Sequence, residues 1–125
     1  MKKTLALRTV IVSLLETAMP DGAKIYYQQA QKDHPKIYAV YTLDLIDKTD
    51  ERSAYELEIN VMDYGTDTST IENLCDTIQQ TFDKKVQITT DVGVYFYTDR
   101  RNAVEEEDRN SLRRRLTFST YLYER

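Results

Sequence analysis

A chain of 125 residues fits one domain, and its 41% hydrophobic and 30% charged residues suit a folded globular protein and exclude a disordered one. A net charge of −4 gives no overall attraction to phosphate, so nucleic-acid binding could rest only on a local patch. One cysteine excludes an internal disulfide and a thiolate metal cluster, and agrees with folding in a reducing compartment such as the cytoplasm.

Ten tyrosines against three phenylalanines point to half-buried sheet faces and subunit interfaces, because the ring is apolar and the hydroxyl needs a partner. At the N-terminus two lysines precede an apolar run, a superficial likeness to a secretory signal. Arg8 and Glu16 interrupt that run, which is far too short to span a bilayer. Leu7, Val10, Ile11, Leu14, Leu15 and Ala18 fall on one helical stripe instead, so the spacing predicts an amphipathic helix ending at Met19 before Pro20, Asp21 and Gly22.

A short strand is predicted over residues 24–28. After a polar stretch and Pro35, residues 37–46 (IYAVYTLDLI) read as a central strand rich in β-branched and aromatic residues. The clearest alternation follows a polar link at 47–51: Tyr55, Leu57, Ile59 and Val61 on one face, Glu56, Glu58 and Asn60 on the other. These two strands form an antiparallel hairpin pair by the length of their link.

A second helix starts at the capping-box pattern Ser69 and Glu72, with Ser69 as N-cap, and carries Ile71, Leu74, Cys75, Ile78 and Phe82 on its apolar side. Residues 86–89 and 92–98 are further strands. Residues 112–123 close the pattern, with Leu112, Leu116, Phe118 and Leu122 on one face. Helices and strands are mixed without strict alternation, which predicts an α+β domain over residues 1–125: a single, mostly antiparallel β-sheet with two amphipathic helices packed on it.

Residue types argue against enzymatic chemistry. Gly22, Gly65 and Gly93 are isolated, so they build no phosphate-cradling loop. The only histidine, His34, rules out a two-histidine metal site and sits in a polar pre-proline stretch that reads as a solvated loop. Cys75 lies on an apolar helix stripe, where a thiol behaves as a small hydrophobe. Glu56 and Glu58 are spaced as any strand spaces its wet face. Catalytic, cofactor-binding and metal-binding residues are therefore expected to be none.

The segment 99–115, DRRNAVEEEDRNSLRRR, has eleven charged side chains in seventeen and joins two strand-like runs. A connection of that length reads as a solvated loop or as an arm for another surface. As an arm it offers acidic Glu105, Glu106, Glu107 and Asp108 and basic Arg100, Arg101, Arg113, Arg114 and Arg115, blocks suited to head-to-tail contact between copies. These nine residues are the subunit-interface candidates. A nucleic-acid patch at Arg113, Arg114 and Arg115 is the third reading, opposed by the acidic run beside it.

The order TLALRTVIVSLLETAMP, KIYYQQ, HPKIYAVYTL, YELEINVMDYG, TIENLCDTIQQTF, the charged connection and RRRLTFSTYLYE resembles the tail-completion or tail-terminator proteins of long-tailed bacteriophages, in particular the group related to the tail completion protein of Bacillus siphophages. Lys36 after Pro35 departs from the aliphatic or aromatic residue expected there. The resemblance implies a virion structural protein, without enzyme activity or cofactor, that forms a homohexameric ring on the head-proximal end of the tail tube. Its implied partners are further copies of itself, the major tail tube protein and the head connector or head-closure protein, with assembly in the host cytoplasm and no membrane or nucleic-acid contact. Two alternatives stay open: another neck or head-closure component, and a monomeric α+β module binding a peptide or nucleic acid.

Overall fold

The computed structural model describes residues 2–49 and 52–125, with side chains from residue 4 onward; the tip of the predicted hairpin at residues 50 and 51 lies outside the described residues. The elements are α1 (Lys2–Ala18), β1 (Lys24–Tyr27), β2 (Tyr38–Lys48), β3 (Arg52–Tyr64), α2 (Ser69–Phe82), β4 (Val86–Ile88), β5 (Val92–Val104) and β6 (Ser111–Glu124). The six strands form one sheet in the order β1-β2-β3-β6-β5-β4, antiparallel throughout except for β1 and β2. The expected α+β architecture is what the chain adopts. The strand expected to be central, β2, lies one place from the edge, and β6 takes the middle with β3.

Both helices pack on the same face of the sheet. Leu7, Val10, Ile11 and Leu15 of α1 and Ile71, Leu74, Cys75, Ile78 and Phe82 of α2 are buried against Leu57, Ile59 and Val61 of β3, Phe96 of β5, and Leu116, Phe118 and Leu122 of β6. The hydrophobic stripes seen in the sequence are the ones used. Phe82 is the joint between the layers, edge-on to Phe96 at 5.1 Å and tilted against Phe118 at 5.3 Å between ring centroids. Some polar tips on this side find partners: Arg8 of α1 stacks on Tyr27 and its Nε donates to the Tyr41 hydroxyl, while the Thr4 hydroxyl lies 3.3 Å from that of Tyr55.

Two local expectations change. The Ser69 hydroxyl caps nothing; Ser69 is already helical, and the Asp67 carboxylate accepts its N–H at 2.9 Å. Glu72, freed from the capping box, turns to the arginines described below. The second change is larger. β5 runs six residues beyond the expected Thr98, and Arg100 through Val104 pair with Thr117 through Arg113. The supposed seventeen-residue connection is therefore mostly hairpin, and the loop proper is residues 105–110. It is fastened at its C-terminal end, with Gly65 N–H donating to the Asn110 carbonyl at 2.7 Å and Ser111 N–H to that of Asp108 at 3.0 Å. Gly65 makes that approach at φ +138°, a conformation side chains disfavour.

Replacing Phe82 with Ala leaves a cavity where three aromatic rings meet. A loss of about 3–5 kcal/mol in unfolding free energy is expected by denaturant titration. The Ser69 N–H bond, then the Ser69 hydroxyl, hold the Asp67 carboxyl below its ordinary value of 3.8. A carboxyl lowered on folding adds stability that is complete above the unfolded value and is lost as the pH falls through the folded one. Urea midpoints of the protein and its D67N variant should therefore differ near neutrality and converge as the pH is taken below about 4; parallel curves would remove this role.

Candidate assembly surface on the open face of the sheet

Because both helices sit on one face, the other is left to its own side chains. The pleat and the pairing register bring Glu56, Glu58, Asn60 and Met62 of β3, Arg113, Arg115 and Thr117 of β6, and Arg100 and Asn102 of β5 onto that open face. A bulge at Asp99 decides the last two. With one residue inserted between the Thr98 and Arg100 pairs, the parity of β5 flips, so Arg100 faces out and Arg101 faces α2.

The nine interface candidates are divided by these rules into three groups. On the helix side, Arg101 reaches Asp76 and, at 3.2 Å, the Glu72 carboxylate; Arg114 donates to the same Glu72 oxygen at 3.1 Å. Arg101 also donates to the Glu72 carbonyl at 3.2 Å, so one carboxylate and one helix turn clamp two strands. On the open face, Arg113 donates through Nε to Asn60 at 2.8 Å and lies 3.8 Å from Glu106, Arg115 lies 3.9 Å from Glu58, and Arg100 lies 3.7 Å from Glu56. Asn60 in turn donates to Glu58 at 2.9 Å, joining two of these contacts into a ladder. In the loop, Glu105, Glu107 and Asp108 are exposed.

The basic run Arg113, Arg114, Arg115 is therefore no single block. Strand alternation sends the middle guanidinium to the helix layer and the outer two to the open face. The acidic run stays together, because a loop has no pleat. Sequence reading missed Asn60, Glu72 and Asp76 as partners of this segment, although the regular spacing of Leu112, Arg114, Leu116 and Phe118 places Arg114 on the core face.

At the loop's end of the sheet lies a shallow cavity of about 350 Å³, lined by His34, Lys36, Tyr38, Asp63, Glu106 and Leu112 among others. His34 is exposed, stacked on Tyr38 at 4.0 Å between rings, with Nδ1 donating to the Pro35 carbonyl at 2.9 Å. Partial burial, then the nearby Glu106, raise the Tyr38 hydroxyl above its ordinary pKa. Cys75 is buried, and that burial pushes its thiol up to about 11, so the neutral, unreactive form prevails near neutral pH. Among the described residues no three His, Cys, Asp or Glu side chains are grouped to hold a metal, and no helix is long and apolar enough to cross a membrane.

Substituting Glu72 by Gln removes the charge that two half-buried arginines share. Since the carboxylate is 47% exposed, solvent screens the pairs, and a loss of about 1 kcal/mol in stability is expected, with similar losses for R101A and no addition of the two in the double variant. Additive losses in denaturant titration would argue against a shared clamp.

No protein-family model matches the chain, and no curated protein matches it in sequence. Among solved structures it is similar to a chain in the structure described as "Virion of native gene transfer agent (GTA) particle", with a TM-score of 0.71 and 12% identity over 90% of this chain and 91% of that chain. At that identity the likeness is one of fold, and it runs through both helices and the sheet rather than through an isolated motif.

Proposed function

We propose that this chain is a virion structural protein that caps the head-proximal end of a phage tail tube as a homo-oligomeric, hexameric ring. In that role it stops further tube rings from adding and presents the joint to the head connector. The observation that carries the reading is the fold shared over nine-tenths of the chain with a component of a phage-like particle, at equal coverage of both chains. The order of elements, which resembles tail terminators, supports the finer role.

The mechanism is steric and interfacial and asks for no catalytic group. A ring whose one face matches the tube occupies the last addition site, and its other face differs, so the next tube ring finds no complement. Of the nine candidates, Arg101 and Arg114 are engaged within the chain through Glu72. Arg100, Glu105, Glu107 and Asp108 keep exposed charge, and Arg100, with its side chain 61% exposed, is the basic group best placed for a neighbour. Glu106, Arg113 and Arg115 fix the shape of the loop and face from which those charges project.

Tails produced without the protein should be overlong or headless in electron micrographs, and adding the purified protein to bare tubes should restore uniform length. Normal tails in its absence would end the reading. Reversing Glu105, Glu106 and Glu107 to Lys should weaken assembly in light scattering while leaving circular dichroism unchanged and the melting temperature nearly so, because exposed loop charges add little to folding. Unchanged assembly would remove the acidic loop from the interface.

A further inference from the structure

The sheet has two unfinished edges, and they are complementary. On one side β1 covers β2 only from Tyr38 to Tyr41, and among the described residues no strand lies beyond residues 42–48. On the other side β4 covers β5 only from Gly93 to Tyr95, with Lys85 accepting the Phe96 N–H and Asp83 the Thr98 N–H; among the described residues no strand lies beyond residues 99–104. The short outer strands thus sit at diagonally opposite corners of the sheet, each leaving a notch beside it. An edge protected against pairing is short, charged or broken by proline. Here the first notch carries Leu45 and Ile46 at 55% and 63% exposure.

We propose that copies of this chain join edge to edge, residues 42–48 of one pairing antiparallel with residues 99–104 of the next, so that one sheet runs through the whole assembly. This rests on the proposed ring and specifies how it is closed. Strand directions agree: β2 and β5 run oppositely within the sheet, so a head-to-tail neighbour presents an antiparallel edge.

Register follows from the notches. Tyr27 occupies the position opposite Tyr41, so the first open place on β2 is Thr42, and the last residue of the incoming β5 is Val104. Setting Val104 opposite Thr42 keeps the open faces of both copies on the same side, places Asn102 opposite Asp44, and brings Arg100 opposite Asp47. The bulge after Leu45 is what puts Asp47 in that place and on the open face. The amide of Asn102 then donates to one carboxylate and Arg100 pairs with the other. Pairing two β2 edges gathers two copies each of Asp44 and Asp47 at one junction, and pairing two β5 edges gathers two copies each of Arg100 and Arg101, so like charge opposes a two-fold dimer and favours the head-to-tail contact.

The geometry closes as well. Each copy contributes four full strand positions, about 19 Å across at roughly 4.8 Å each, and each junction steps about 13 Å, or four residues, along the strands. Together they give a strand tilt of roughly 35°, in the range that closed barrels use.

The test is a covalent trap, with Cys75 inert in the core. Oxidised D44C/N102C protein should run as a ladder of covalent multimers on non-reducing gels, and a mixture of the two single variants should stop at dimers. Each single variant alone should stay monomeric. Dimers from either single variant alone would overturn the head-to-tail pairing, as would the lack of any ladder. Light scattering on the same samples separates the two readings: an oligomer without a ladder removes the edge pairing and leaves the ring, whereas a monomer that also fails to bind tail tubes removes both.

Discussion

Two helices cannot cover both faces of a six-stranded sheet, and here both lie on the same one. This allotment decides the chemistry of nearly every position. Alternate residues of β3, β5 and β6 are mostly apolar where they meet α1 and α2, and Leu57, Phe96 and Phe118 are fully buried there. The remaining residues of the same strands face away from the helices and include Glu, Arg, Asn and Thr side chains, several of which pair laterally, beside Met62, Tyr95, Tyr97 and Tyr121. Thr117 on this face is fully buried, its hydroxyl without a hydrogen-bond partner among the described residues. The open face is thus a mixed one, its salt bridges and hydrogen bonds on β3 and β6 lying beside the tyrosines of β5 and β6.

The architecture was legible in the sequence where one periodicity was strong. Strict alternation from Tyr55 to Val61 located β3 and both its faces, and the stripe Ile71, Leu74, Cys75, Ile78, Phe82 located α2 and its buried side. The charged hairpin was not legible for a physical reason. Arg100, Arg101 and Asn102 have weak intrinsic preference for strands, and what holds them extended is pairing with β6, a strand already fixed by β3 on its other side. Such tertiary support leaves no local trace. Ser69 failed for a related reason: Glu72, needed for a reciprocal cap, gains more from two arginines brought by distant strands than from one backbone N–H.

The nine charged candidates show the same division between composition and placement. Composition located the unusual segment, but the pleat and one bulge distribute its charges among a helix clamp, an open-face ladder and a loop. A single inserted residue at Asp99 separates Arg100 from Arg101, giving one a role in holding α2 to the sheet and leaving the other outward. Residues adjacent in sequence therefore differ in what their loss affects: the clamp contributes to folding, whereas the outward charges act on whatever approaches the sheet.

That separation bears on the proposed edge-to-edge contact. Unfinished edges invite any strand, and a chain carrying Leu45 and Ile46 on one of them is at risk of indiscriminate pairing. The bulges at Ile46 and Asp99 interrupt regular pairing, and they also place Asp47 and Arg100 on one face, where only a head-to-tail partner in one register sets opposite charges together. The corner strands β1 and β4 add a steric limit, since a neighbour shifted toward either meets an occupied position. In the proposed contact shape, charge and register agree, and the features that mark these edges as incomplete are the ones that would restrict what completes them.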